Sequence, residues 1–321
     1  MKKVLLATTA MVAFAGAASA DVTLSGSARF GLQYIDTVAV DGAGNAPSKT
    51  TLEKRVTLNI DMSTETDSGL ELGARIRLRN NERSSKIDPG TGLYVLSSGM
   101  TDVNGAQVYL KSGGLKLSVG NVCGAIECMP GLYAADVGLN GNAFRDLVTN
   151  TLTEGSWGWA AYTSSGGGSN GVEVEYSAGD FTGVLTYDAM NDVSVAANRV
   201  AARVSYAFGD WTVALAYQDG DQPLGVGDKT VLTVGGKLGD FGVGLAYADN
   251  NGTGKTTIHG SYSFGATTVK AFVSDDQSAA ATDTLWGLGA SYDLGGASLV
   301  AGYSSDAVGT KRASAGIKFK F

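Results

Sequence analysis

The chain has 321 residues, a formal net charge of −7, 46 glycines, only 4 prolines, and 13 Tyr with 10 Phe. An acidic balance argues against a nucleic-acid partner. After the first twenty residues no run of 18 apolar residues occurs, which excludes transmembrane helices but not a barrel, whose strands need only about 9–11 alternating residues.

The amino terminus reads as an address. Lys2 and Lys3 form a positive start, Val4 to about Ala17 an apolar core, and Ala18-Ser19-Ala20 a small-x-small cleavage site. This predicts a cleaved signal peptide over 1–20 and one domain over 21–321, with the cut between Ala20 and Asp21. The rival is an uncleaved anchor, for which the apolar core is short and its flank too polar. Loss of both lysines takes the net charge from −7 to −9. The protein is expected to leave the cytoplasm.

The first predicted strand is Val22 to Tyr34. Val22, Leu24, Gly26, Ala28, Phe30, Leu32 and Tyr34 lie on one face, and Thr23, Ser25, Ser27, Arg29, Gly31 and Gln33 on the other, because successive side chains point to opposite sides. Period alone leaves open whether the apolar side meets a core or lipid. The second strand puts Glu53 and Arg55 on its polar face, and Lys54 on its apolar face near a loop end, where it can snorkel. The third, Gly69 to Asn80, sets Glu71, Arg75, Arg77 and Arg79 against Leu70, Leu72, Ala74, Ile76 and Leu78. Arginines at alternate positions lie about 7 Å apart and repel. A solvated surface tolerates that through screening; on the wall of a water-filled lumen the same row makes a standing positive potential.

Gly120 to about Gly168 breaks the alternation. It holds both cysteines, Cys123 and Cys128, and the acids Glu127, Asp136, Asp146 and Glu154. Two cysteines in an exported chain most often pair, so a Cys123–Cys128 disulfide is expected. A metal site would need two further ligands, and His259 is the only histidine.

Beyond it, hairpins repeat. Turn glycines Gly179, Gly209, Gly239, Gly265 and Gly295 are spaced by 30, 30, 26 and 30 residues. Each unit is strand, short turn, strand, longer loop, the pattern of an outer-membrane barrel. Aromatics mark both strand ends: Tyr176, Phe181, Tyr206, Phe241, Tyr262 and Tyr292 near the short turns, and Tyr34, Tyr187, Tyr217, Tyr247 and Tyr303 near the long loops. Two aligned belts indicate a lipid-spanning band between them.

Several motifs point elsewhere. Gly252 to Thr257 (GTGKTT) resembles a phosphate loop, but Asp249 occupies the first glycine position and a strand follows, not a helix. Hydrolysis would have to use His259 on a strand without a nucleophile elbow. Loop acids Asp219, Asp221, Asp228, Asp275 and Asp276 could hold Ca²⁺ or bridge lipopolysaccharide through divalent ions, but no spaced calcium loop is present. Solvated charge is the simpler reading of them, and no cofactor is expected.

The last predicted strand, Arg312 to Phe321, ends the chain on an aromatic residue. The opening DVTLSGSARFGLQY, the SYDLGGAS hairpin and the ending GIKFKF resemble the general diffusion porins of purple non-sulfur (Rhodobacter-type) bacteria. The resemblance covers the whole mature chain, closely at its ends and loosely in its loops. It implies an all-β, 16-stranded antiparallel transmembrane β-barrel whose long third loop folds inward. Alternation alone finds about 18 candidates, counting Asp146–Glu154 and Trp157–Thr163. The resemblance assigns those two to the loop and leaves an 18-stranded barrel as the alternative. It further implies a constriction with Arg29, Arg55, Arg75, Arg77 and Arg79 on one side and Glu127, Asp136 and Asp146 on the other, Phe321 as an assembly signal, and a homotrimer in contact with outer-membrane lipid and lipopolysaccharide. The expected function is passive diffusion of small hydrophilic solutes and ions. The cysteines gain no support from the resemblance. Two rivals are an outer-membrane hydrolase and a secreted soluble β-sheet adhesin. N-terminal sequencing of the exported protein should begin at Asp21; a chain beginning at Met1 would mean a retained anchor.

Overall fold

The computed structural model describes residues 20–37, 48–81, 84–87, 94–97, 100–140, 147–150, 170–189, 198–220, 227–278 and 281–321. The expected signal peptide, 1–20, lies outside these except for Ala20, which is exposed immediately before the first strand. In chain order the strands are β1 (Asp21–Ile35), β2 (Thr50–Glu65), β3 (Glu71–Asn81), β4 (Ser84–Ile87), β5 (Tyr94–Ser97), β6 (Met100–Val103), β7 (Gln107–Ser112) and β8 (Leu115–Gly120). After the long insertion come β9 (Asn170–Ala178), β10 (Phe181–Ala189), β11 (Asn198–Phe208), β12 (Trp211–Gly220), β13 (Lys229–Leu238) and β14 (Phe241–Asn250). The chain ends with β15 (Thr253–Phe264), β16 (Thr267–Asp276), β17 (Leu285–Asp293), β18 (Ala297–Ser305) and β19 (Lys311–Lys320).

Each strand pairs antiparallel with its neighbours, and β19 returns to β1. β4 and β5 form a separate small hairpin. β6 and β7 both pair with β3 and are halves of one strand. Asn104 bridges their break: its Oδ1 accepts from Arg77 N–H at 2.8 Å and its N–H donates to Arg77 O at 2.9 Å. The wall therefore has 16 strands, five before the insertion and eleven after it. Of the two extra candidates, Asp146 and 151–169 lie outside the described residues, while Leu147–Asn150 form a buried turn. The barrel is not 18-stranded.

Turn chemistry explains the repeat. Gly179, Gly209, Gly239 and Gly265 have φ between 56° and 62°, open to glycine at no steric cost. The shorter spacing of 26 arises at the opposite end, where β14 and β15 join through Asn251-Gly252, both at positive φ. Asn-Gly is the favoured pair for such a tight hairpin.

Faces follow the predicted parity. In β11 Val200, Val204, Tyr206 and Phe208 are exposed outward, while Arg199 and Arg203 are buried inside. Both aromatic belts project outward, from Tyr176, Phe241 and Tyr292 at the short-turn end to Tyr187, Tyr217 and Tyr303 at the other. One expectation needs correcting. β12 and β14 do not alternate apolar with polar, because their inner faces carry Ala214, Ala216, Ala246 and Ala248, all buried.

Those alanines belong to a core inside the barrel. Ile126, Met129, Leu132, Ala135, Val137, Leu147 and Val148 of the insertion pack on them and on Val231, Phe272 and Leu285. Full burial of a Leu, Ile or Met is worth about 1.5–3 kcal/mol, so the loop is held by substantial apolar contact. Polar ties follow around the wall. Gly124 N–H donates to Glu173 Oε2 at 2.7 Å, Arg203 Nη1 to Ala125 O at 3.2 Å, and Thr233 Oγ1 to Pro130 O at 2.6 Å. Lys270 Nζ then donates to Ala134 O at 3.2 Å and Leu139 N–H to Ser314 Oγ at 2.9 Å. The contacts step through β9, β11, β13, β16 and β19, each near mid-strand. Where the loop presses closest the wall is glycine. A Cβ on Gly302 would lie 2.6 Å from Gly138 Cα, and one on Gly31 would lie 2.7 Å from Leu139 Cδ2.

Gly302→Val should therefore cost about 1–3 kcal/mol through overpacking and force the loop away from the wall into the lumen. The barrel should still show heat-modifiable gel mobility, with lower single-channel conductance. Unchanged conductance in a folded variant would mean that this contact does not set the loop's position.

Candidate pore constriction

Beside the loop tip, which reaches β1 at Gly31, lie the inner faces of β1, β2 and β3. Here the predicted arginines converge. Arg29 and Arg55 are direct cross-strand partners, and Arg75, Arg77 and Arg79 face Asp61, Asn59 and Thr57 of β2. All five share the inner face with Glu53 and Thr57. Arg29 is bound to Glu53 through Nε at 2.8 Å and Nη2 at 2.5 Å. Arg75 Nε lies 3.1 Å from Asp61 Oδ1. Arg77 Nε donates to Asn59 Oδ1 and Arg79 Nε to Thr57 Oγ1, both at 3.2 Å. Arg55 stands within electrostatic range of Arg29, Arg77 and Arg79. Guanidinium groups stay charged in such crowding, where lysines would give up protons.

Asp136 of the loop lies within electrostatic range of one member of this row, Arg29. It lies in the field of Lys318, Lys270 and Arg29. Burial pushes its carboxyl above the ordinary carboxylate range, against the pull of those three cations. Its Oδ1 is buried without a hydrogen-bond partner. Glu127 sits further back along the loop and accepts a hydrogen bond from Tyr133 Oη at 2.5 Å. Asp146 and Glu154 lie outside the described residues, as do Trp157 and Trp159.

Cys123 and Cys128 are joined as a disulfide, with Cα atoms 5.7 Å apart. The small ring it closes holds Ala125 and Ile126, both fully buried against the wall, while Cys128 is exposed. At the far end of the chain Phe321 N–H donates to Gly26 O at 3.1 Å, and Gly26 N–H to Phe321 O at 2.7 Å. The terminal residue thus completes the β1–β19 seam.

Sequence reasoning missed the loop's second anchor. Lys255, the lysine of the apparent phosphate loop, is fully buried; its Nζ donates to Thr149 O at 2.6 Å and lies 3.6 Å from Asp276 Oδ2. Asn150 Nδ2 donates to Asp276 Oδ1 at 2.8 Å, and Asn250 Nδ2 to Val148 O at 2.8 Å. Asp276 is therefore not a solvated loop acid, as its sequence context implied, but a buried support for the returning limb. Its signal was parity: Lys255 and Asp276 occupy directly paired positions on the inner faces of adjacent strands. Among the described residues no group of three or more potential metal-binding side chains occurs.

The comparisons with known proteins agree with this geometry. Residues 7–316 match the family model described as Gram-negative porin. A protein named Porin from Fuscovulum blasticum is 30% identical over 315 residues, spanning 94% of this chain and all of its own. A solved mutant of the Rh. blastica porin superposes with a TM-score of 0.75 at 27% identity, over 94% of this chain and all of that one. A triple mutant of the Rhodopseudomonas blastica porin gives 0.74 at 29% identity, with the same coverage. The chain belongs to the Gram-negative porin family, and is an outer-membrane β-barrel channel for passive diffusion rather than an enzyme.

Proposed function

We propose that the channel is narrowed between the arginine row of β1–β3 and the Asp136 limb of the inward loop, and that the field across this gap sorts small hydrophilic solutes by charge and dipole. The observation that carries this reading is the placement of Asp136 within reach of Arg29 and Lys318, on a loop tied to the opposite wall at mid-height. Fixed charges lining a lumen tune selectivity. Glu127 and the Cys123–Cys128 ring serve as the stiff shoulder of the loop. Phe321 acts as the assembly signal, in keeping with its place in the closing seam. The exposed loop acids Asp219, Asp228 and Asp275 face the outer surface, where divalent ions would bridge them to lipopolysaccharide.

A homotrimer is part of the proposal. β8 contains six residues, short of the roughly 9–11 that a tilted strand needs to cross the hydrocarbon, and the strand beside it is broken between β6 and β7. Their outward side chains are nevertheless apolar, with Val108, Leu115 and Val119 exposed. A low wall of this kind is better covered by protein than by lipid, and neighbouring copies around a threefold axis supply that cover.

Two measurements test these readings. In planar bilayers, replacing Arg75 and Arg77 together by Gln should move the reversal potential toward cation preference. Asp136→Asn should move it the other way, and acidifying the wild type should reproduce that shift starting above the ordinary carboxylate range. A reversal potential indifferent to all three changes would remove these residues from the constriction. Unheated protein should run on gels as a trimer that chemical cross-linking traps in three steps; a monomer under both treatments would defeat the oligomer.

A further inference from the structure

The chain's two cysteines open a part of the loop with a regular build. Met129 N–H donates to Ile126 O at 3.0 Å, Leu132 N–H to Met129 O at 3.3 Å, Ala134 N–H to Gly131 O at 3.1 Å and Asp136 N–H to Tyr133 O at 3.3 Å. Bonds to the carbonyl three residues back bring positions i and i+3 onto one side. Ile126, Met129, Leu132 and Ala135 form one such row, all buried against the barrel wall. Cys128, Gly131 and Ala134 form another, all exposed. The loop lies inside the barrel, so the row turned away from the wall faces the water-filled passage. Of the two bonded cysteines, Cys123 is half-buried and Cys128 is open to solutes that diffuse through.

The loop's seat does not rest on this bond. A disulfide stabilises least when the ring it closes is short, and this one joins residues 5 apart. Both arms are fastened without it. Gly124 is held by Glu173, Ala125 by Arg203 and Pro130 by Thr233. Within the ring Cys128 N–H donates to Gly124 O at 3.4 Å. Opening the bond thus leaves the backbone docked and releases a side chain on the passage side. Exposed disulfides are the ones that exchange readily with thiols.

We propose that Cys128 is a thiolation site, at which small thiols entering the channel leave a reversible adduct that narrows the passage. A thiolate R–S⁻ attacks Cys128 Sγ. The R–S–Sγ bond forms as the Sγ–Sγ bond breaks, and the electron pair of the broken bond departs on Cys123 Sγ, which takes a proton from water. The incoming sulfur is oxidised and Cys123 is reduced to a thiol, one for one. Return attack by the Cys123 thiolate on Cys128 Sγ expels R–S⁻ and reseals the ring. The adduct narrows the passage because the loop bounds it, and to that extent the site rests on the constriction reading above.

The test uses purified full-length protein in planar bilayers. A Cys123→Ser variant keeps Cys128 as a single thiol and cannot reseal. Glutathione disulfide, which leaves an anionic adduct, should lower its single-channel conductance in discrete steps and move the reversal potential toward cation preference. Cystamine, which leaves a cationic one, should lower conductance and move the potential the other way. Dithiothreitol should restore both. In the wild type, reduced glutathione should cause closures whose frequency rises with its concentration and whose length does not, because Cys123 ends them. The Cys123→Ser, Cys128→Ser channel should ignore all these reagents. Gel mobility before and after heating identifies variants that fold. Wild type needs no such check: after dithiothreitol its Cys128 should be alkylated without heating. A disulfide that resists dithiothreitol until the protein is heated overturns the site. An adduct on Cys128 that leaves conductance and reversal potential unmoved also overturns it. Stepwise block that persists while the reversal potential ignores Arg75, Arg77 and Asp136 upholds the site and removes the charge reading of the constriction alone.

Discussion

In hydrocarbon no water is present to satisfy a backbone N–H or C=O, so a membrane sheet must have no edge. That demand fixes most of this molecule. It makes the strand count even, brings β19 back to β1, and requires a partner for the last residue, found in the reciprocal hydrogen bonds of Phe321 and Gly26. It also turns the usual arrangement of a protein inside out. The exposed surface is rich in Val, Leu, Tyr and Phe, and the polar side chains line the interior.

The interior is itself divided. Where the loop lies against the wall, inward positions are alanine, valine and glycine, and the contact is a small hydrophobic core. On β1–β3 the inward positions include arginines bound to Glu, Asp, Asn or Thr. One sheet thus presents two inner surfaces. A buried ion pair such as Lys255–Asp276 gives little net stability by itself, because desolvation offsets attraction. Its hydrogen bonds to Thr149 and Asn150 have a different value: they satisfy backbone and side-chain groups of a loop that could not otherwise be buried.

Much of this was legible in the sequence. Alternation and turn glycines define β1–β3 and β9–β19; parity puts Arg29, Arg55, Arg75, Arg77 and Arg79 on the polar faces of their strands, and the resemblance to a barrel family turns those faces inward. The pairing of Cys123 with Cys128 follows from export and cysteine number. What stayed hidden depended on contacts far apart in the chain. Asp276 looked like another acid beside an irregular loop, and only the docking of Asn150 makes it a buried support. Lys255 looked like a failed nucleotide motif, because local text says nothing of Thr149 more than a hundred residues earlier. The alanines of β12 and β14 were visible but unread. Small apolar residues on the inner face of a barrel strand mean that something inside covers them, and that rule would have traced the loop's path.

The loop's final tie has a consequence for the order of events during assembly. Leu139 bonds to Ser314 and rests on Gly316, both in β19, on one side of the closing seam. On its other side it touches Gly31 of β1, the first. The tip of the loop can therefore find its seat only when the two ends of the chain have met. A barrel still open at that seam lacks half of the seat for the loop tip, so the sealing of the wall and the final docking of the loop are linked.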